Sequence, residues 1–217
     1  MNYYIAVLLG YSILLAGIIG IVRFQKIQST YYPFLYCIWL AGVNEVISSY
    51  LLLTGQYNII NSNIYNLAEA LLVLWFFRRL GAFQRYRFLF PFFAGVFTTA
   101  WVWENFIYHD FGTAFNSYFN IIYSFPLVLL AINAINTYLI KERNLLKNPA
   151  FLICIGIIIF FTYRVLVEAF YVYGLNGSSS FSARVYDILS IINVLCNLIY
   201  ALAVLWMQKK QVFTLQF

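Results

Sequence analysis

Long apolar runs alternate with short polar connections along the whole chain. A helix needs about 20 mostly apolar residues to cross the hydrocarbon core of a bilayer. Runs of this kind lie at residues 3–22, 33–53, 63–80, 88–106, 115–139, 150–173 and 185–207. Because the connections leave no room for a soluble domain, the pattern predicts one domain, residues 1–217, made of seven transmembrane helices.

The composition supports this reading. Hydrophobic residues make up 64% of the 217 residues and charged residues 9%, whereas soluble domains carry roughly 25% charged residues. A soluble fold of this size could not cover so much apolar surface, so the bilayer is its expected partner. We therefore expect an all-α integral membrane protein, placed in the plasma (inner) membrane.

Basic residues occupy alternate connections, and this sets the expected orientation. Eleven of the 13 Lys and Arg residues fall on one side: Arg23, Lys26, Arg78, Arg79, Arg85, Arg87, Lys141, Arg143, Lys147, Lys209 and Lys210. The opposite connections hold Arg184. Because cytoplasmic loops are rich in Lys and Arg, the N-terminus is predicted outside and the C-terminus in the cytoplasm. Because these basic residues lie in connections on one side, we interpret the net charge of +6 as a determinant of topology and a contact for anionic lipid, and not as a nucleic-acid binding site.

Two of the runs resemble each other. The third contains I-Y-N-L-A-E-A-L-L-V-L (64–74) and the seventh V-Y-D-I-L-S-I-I-N-V-L (185–195). With the fourth helix as an inverting link, this indicates a candidate parallel repeat of three plus one plus three helices. Chance similarity between apolar helices, which draw on few residue types, is the favoured explanation. The layout is similar to that of seven-helix sugar and vitamin transporters and of opsins in topology alone, which does not carry function.

Polar residues inside the apolar runs are the candidate site. A charge at the bilayer centre costs about 2.5–3.5 kcal/mol and usually faces an interior or a water-filled cavity. The candidate ligand-binding residues are Asn44, Glu45, Tyr65, Asn66, Glu69, Asn120, Arg164, Glu168 and Asp187. Four of these are acids and only Arg164 is basic, so we expect Arg164 to be held by at least one acid.

The polar residues concentrate in the predicted outer half of the helices, which predicts a pocket open to the outside. The acid excess favours a cationic solute or a coupled proton, and the leading hypothesis is a transporter of a small solute or ion. The alternative is a seven-helix sensor or partner-binding module without transport. Asn and Ser in such helices also serve as ordinary interhelical hydrogen-bonding groups.

Catalytic motifs are not apparent, and no enzyme activity is predicted. The chain has one histidine, His109, where a catalytic zinc site needs several nitrogen or acidic ligands. No cofactor is expected either. Retinal in particular is excluded, because the last run has no lysine between Arg184 and Lys209 that could form its Schiff base. The sequence leaves open whether copies of the chain form a homo-oligomer.

Overall fold

Residues 8–109, 111–139, 145–173 and 179–207 are described in the computed structural model. Within these ranges the chain forms seven α-helices: α1 (Ile13–Arg23), α2 (Tyr32–Leu53), α3 (Ile59–Leu80), α4 (Leu89–Trp103), α5 (Ser117–Leu139), α6 (Pro149–Val172) and α7 (Ser179–Trp206). The all-α fold class predicted from the apolar runs is confirmed. The start of the first run, residues 3–7, and the basic residues Lys141, Arg143, Lys209 and Lys210 lie outside the described residues.

Six described segments are long and apolar enough to cross a membrane, by length and composition: Leu8–Lys26, Ser29–Leu53, Ile59–Leu80, Ser117–Thr137, Pro149–Val172 and Asp187–Trp206. The fourth run is different, because α4 has 15 residues. Its length is about 22 Å at 1.5 Å per residue, short of a hydrocarbon core of about 30 Å. A π-helical turn, Glu104–Tyr108, continues it. The fold is that of a multi-pass integral membrane protein with six candidate spans.

Local signals set several helix boundaries. α3 ends at Gly81, whose φ of 91° is left-handed and suits a residue without a side chain. α6 begins at Pro149, where the missing N–H has no cost. The preceding Asn148 caps this helix, since its side-chain oxygen accepts the backbone N–H groups of Ala150 and Phe151 at 2.9 and 3.3 Å.

Six of the helices form a closed ring. α1, α2, α3, α5, α6 and α7 pack in that order, and α7 returns to pack against α1. α4 packs mainly against α3 and α5, on the outside of the ring. The outer surface is apolar: Ile18, Leu53 and Ile191 are 61%, 76% and 60% exposed. Lipid tails match such a surface, whereas water does not.

An arginine joins the ends of α1 and α7. The guanidinium of Arg23 donates to the backbone carbonyls of Val204 (2.6 Å), Leu205 and Met207 (3.3 Å). The last carbonyls of a helix have no partner within it, so a cation there is stabilising. The contact brings the C-terminal ends of α1 and α7 to the same face of the bundle, so the two helices run in the same direction.

Candidate functional site

The ring encloses a cavity of about 390 Å³, a size typical of small-molecule sites. Its polar lining comes from the C-terminal parts of α2 and α6 and from α3 and α7: Asn44, Glu45, Tyr65, Glu69, Arg164, Glu168, Ser190, Asn193 and Asn197. Its other lining is mainly apolar and aromatic and includes Phe34, Val73, Ile157 and Tyr200. The cavity therefore combines charged groups with an aromatic wall inside an otherwise apolar bundle.

Glu69 is the most heavily bonded carboxylate in the cavity. One of its oxygens accepts the hydroxyl of Tyr65 at 2.7 Å. The other accepts the hydroxyl of Tyr123 and Nη1 of Arg164, each at 2.7 Å. The side chain of Glu69 is 8% exposed and that of Arg164 13% exposed. A carboxylate can remain among apolar helices here because a cation and two hydroxyl donors compensate its lost hydration.

Arg164 connects three helices. Its Nη2 donates to the side-chain oxygens of Asn66 on α3 and Asn120 on α5, at 2.6 and 3.2 Å. The amide nitrogen of Asn120 donates in turn to Glu168 at 2.7 Å, one turn above Arg164 on α6. The expectation that an acid holds Arg164 is confirmed by its ion pair with Glu69. The pair reaches across from α6 to α3.

Glu45 lines the same cavity but, unlike Glu69, has no polar partner there among the described residues. No described residue forms a hydrogen bond or an ion pair with its carboxylate. It is seated against Gly10, where an added Cβ would lie 2.6 Å from Oε2 of Glu45. Its neighbour Asn44 accepts a hydrogen bond from Asn61 at 2.8 Å, which joins α2 to α3. Glu45 is thus positioned by packing, while its carboxyl group has no polar partner among the described residues.

A second buried polar cluster lies outside the cavity. Glu104 is 1% exposed and accepts the backbone N–H groups of Tyr118 and Phe119 at 3.0 and 2.5 Å. These are orphan donors in the first turn of α5, so the carboxylate caps that helix. Asn63 donates to the side-chain oxygen of Asn105 at 3.1 Å. This cluster holds the α4–α5 connection in place.

The structure brings most of the predicted site residues together. Asn44, Glu45, Tyr65, Glu69, Arg164 and Glu168 line the cavity. Asn66 and Asn120 lie behind this lining and bind Arg164. Asp187, partly buried on α7, is not among the residues that line the cavity.

Several residues of the site were not selected from the sequence. Tyr123 supports Glu69, and its spacing from Asn120 on one face of α5 was an available signal. Asn193 faces the cavity. From the sequence alone, an asparagine within this helix was equally compatible with a structural hydrogen bond between helices. Gly10 gave no signal, because its role depends on a contact with Glu45, 35 positions away in the chain.

Comparison with known proteins adds no family: no family model, no curated protein and no solved structure matches the chain. The fold and the site alone define its class. It is a multi-pass helical membrane protein whose ring of helices surrounds a polar cavity.

Proposed function

We propose that the protein transports a small solute and that the cavity inside the ring is its binding site. The observation that carries this proposal is the placement of Glu45, Arg164 and Glu168 around one cavity of about 390 Å³ within an apolar bundle. Ionisable groups at such depth are costly, and where they line a cavity they commonly mark a solute or ion pathway. The site is of the size and mixed polarity that small ligands require.

The proposed orientation places the polar lining in the outer half of the bilayer. The basic residues Arg23, Arg78 and Arg79 lie at the C-terminal ends of α1 and α3, which become the cytoplasmic ends under the positive-inside rule. The cavity then opens outward. The seventh crossing is α4 together with its π-helical turn, since Leu89–Tyr108 amounts to about 30 Å of helix.

The helix ring supports the candidate repeat of three plus one plus three helices. In such a repeat α1, α2 and α3 correspond to α5, α6 and α7, and α4 lies outside. The packing order α1–α2–α3–α5–α6–α7 is consistent with this correspondence, because the order of packing is the same in both halves. Glu69 and Ser190 occupy equivalent positions in the two similar segments, and both line the cavity.

The polar contacts suggest which helices move together. Arg164 joins α6 to α3 and α5 through Glu69 and Asn120, so these three helices form one unit. α1 is joined to α7 by Arg23 and by the hydrogen bond from Asn197 to Ser12 at 2.8 Å. These units do not coincide with the halves of the candidate repeat. Movement of one unit against the other around the cavity would expose the site to alternate sides of the membrane.

Solute uptake into proteoliposomes tests the proposal. Three membrane-impermeant radiolabelled probes cover the charge classes: phenethyltrimethylammonium, mannitol and glutamate. A tryptophan at Asn193 fills the cavity, whereas a tryptophan at Ile191, on the lipid-facing side of the same helix and 60% exposed, is the matched control. We expect uptake of at least one probe by wild type and by Ile191→Trp, and none by Asn193→Trp.

Two results would contradict transport. Equal uptake by Asn193→Trp and Ile191→Trp would show that uptake of the probe does not depend on the cavity. Binding of a probe without uptake of any of the three would favour the alternative function, a membrane sensor that detects the ligand in the same cavity.

A further inference from the structure

The four glutamates that the structure describes, Glu45, Glu69, Glu104 and Glu168, have different polar partners. Glu69 has an arginine and two tyrosines, Glu104 has two backbone N–H groups, and Glu168 has the amide of Asn120. Glu45 has no hydrogen-bond or ion-pair partner among the described residues, yet it lines the cavity. A carboxylate kept in this state inside a bundle is costly unless a ligand supplies the missing partner.

The charges around the cavity do not balance. Among the described residues, Arg164 is the only basic one that lines it, and its charge is offset by Glu69 at 2.7 Å. Glu45 and Glu168 then leave the cavity with more acidic than basic side chains. A cationic ligand compensates this excess, whereas an anionic ligand adds to it.

Part of the cavity wall is suited to an apolar ligand body. Phe34, Ile38 and Tyr200 line the cavity together with Glu45, and the rings of Phe34 and Tyr200 meet edge to face with centroids 5.1 Å apart. Aromatic faces attract cations as well as apolar groups. The lining therefore combines one free carboxylate with an aromatic surface.

We propose that the cavity binds a small organic cation, an amine with an apolar body, and that Glu45 contacts its ammonium group. This inference rests on the proposed function, because it names the solute class of the same site. It assigns different roles to the two central glutamates: Glu45 contacts the ligand, while Glu69 holds Arg164 and positions α3, α5 and α6.

Calorimetric titration of the protein in lipid nanodiscs, with empty nanodiscs subtracted, tests this assignment. Phenethylammonium, 2-phenylethanol and 3-phenylpropionate share a body and differ in charge. We expect phenethylammonium to bind at least about tenfold more tightly than the other two, which cannot form an ion pair with Glu45. A tenfold difference in affinity corresponds to about 1.4 kcal/mol. Glu45→Gln should remove this preference and leave 2-phenylethanol binding unchanged.

Two further variants sharpen the test. Glu104→Gln makes the same chemical change away from the cavity and should keep the preference for phenethylammonium. Gly10→Ala keeps the charge but displaces the Glu45 carboxylate, because the new Cβ would lie 2.6 Å from its Oε2, and should weaken phenethylammonium binding. Equal affinities for the three probes in wild type, or an unchanged preference in Glu45→Gln, would overturn the assignment.

The outcomes separate this inference from the proposed function. Binding of phenethylammonium through Glu45 without uptake of phenethyltrimethylammonium would contradict transport and still support the cation site. Cavity-dependent uptake of mannitol or glutamate but not of phenethyltrimethylammonium would support transport and overturn the cation site.

Discussion

Replacement of Arg164 by alanine tests the internal framework of the bundle. The change removes the ion pair with Glu69, which has an N–O distance of 2.7 Å and side-chain exposures of 13% and 8%. It also removes the donor that serves the amide oxygens of Asn66 and Asn120. Glu69 is then left with the hydroxyls of Tyr65 and Tyr123 but without a cation.

The expected cost follows from these contacts. Removal of one partner of a buried ion pair typically costs about 3–5 kcal/mol, because the other charge is stranded. Glu168→Ala is the comparison, because it removes the acceptor to which the amide nitrogen of Asn120 donates. Hydrogen bonds within membrane bundles average about 0.6 kcal/mol. We therefore expect Arg164→Ala to lower the free energy of unfolding by several kcal/mol more than Glu168→Ala.

Unfolding in mixed micelles by added sodium dodecyl sulfate, followed by circular dichroism at pH 7, measures this difference. The double variant Arg164→Ala/Glu69→Gln is the control for lost packing volume. It should be more stable than Arg164→Ala alone, because it removes the stranded charge. A stability of Arg164→Ala equal to wild type, or a double variant less stable than the single one, would refute the ion-pair account.

Three further predictions concern packing, capping and orientation. Gly156→Ala should cost about 1–3 kcal/mol, because its Cβ would lie 2.3 Å from the ring of Tyr200, whereas Gly95→Ala, with open space around it, should cost nothing in the same unfolding assay. Glu104→Ala should lower the free energy of unfolding by about 1–2 kcal/mol through loss of the α5 cap, and unchanged stability would remove that role. Arg85→Cys should react with an impermeant maleimide in inverted vesicles and not in intact cells, and the opposite pattern would reverse the proposed topology.

The fold was largely predictable from the apolar pattern. Runs of about 20 apolar residues leave little choice but helices in a bilayer, since only internal hydrogen bonds satisfy the backbone there. The length of the fourth helix was not predictable: the run at 88–106 contains no charged residue before Glu104, but the α-helix gives way to a π turn at that residue. That carboxylate accepts backbone N–H groups of the next helix, a tertiary contact that no periodicity encodes.

The site was predictable in its residue types but not in its roles. Glu45 and Glu69 looked equivalent, because both are single acids at similar depth in apolar runs. Their difference depends on which helix faces meet: α5 and α6 bring Tyr123 and Arg164 to Glu69, whereas Glu45 faces Gly10 and the cavity. Such pairings follow from the order of helices in the ring, which the sequence of apolar runs does not specify.

The central claim is that the helix ring holds an acidic cavity open to the outside, and the access of thiol reagents to that cavity tests it most directly. In a background whose three native cysteines are replaced by alanine, Asn193→Cys places a thiol in the cavity and Ile191→Cys places one toward lipid. Intact cells are treated with cationic or anionic impermeant methanethiosulfonate reagents. We expect Asn193→Cys to react, faster with the cationic reagent, and Ile191→Cys to remain unmodified. No reaction at Asn193→Cys, or a faster reaction with the anionic reagent, would contradict an outward-open cavity with an excess of negative charge.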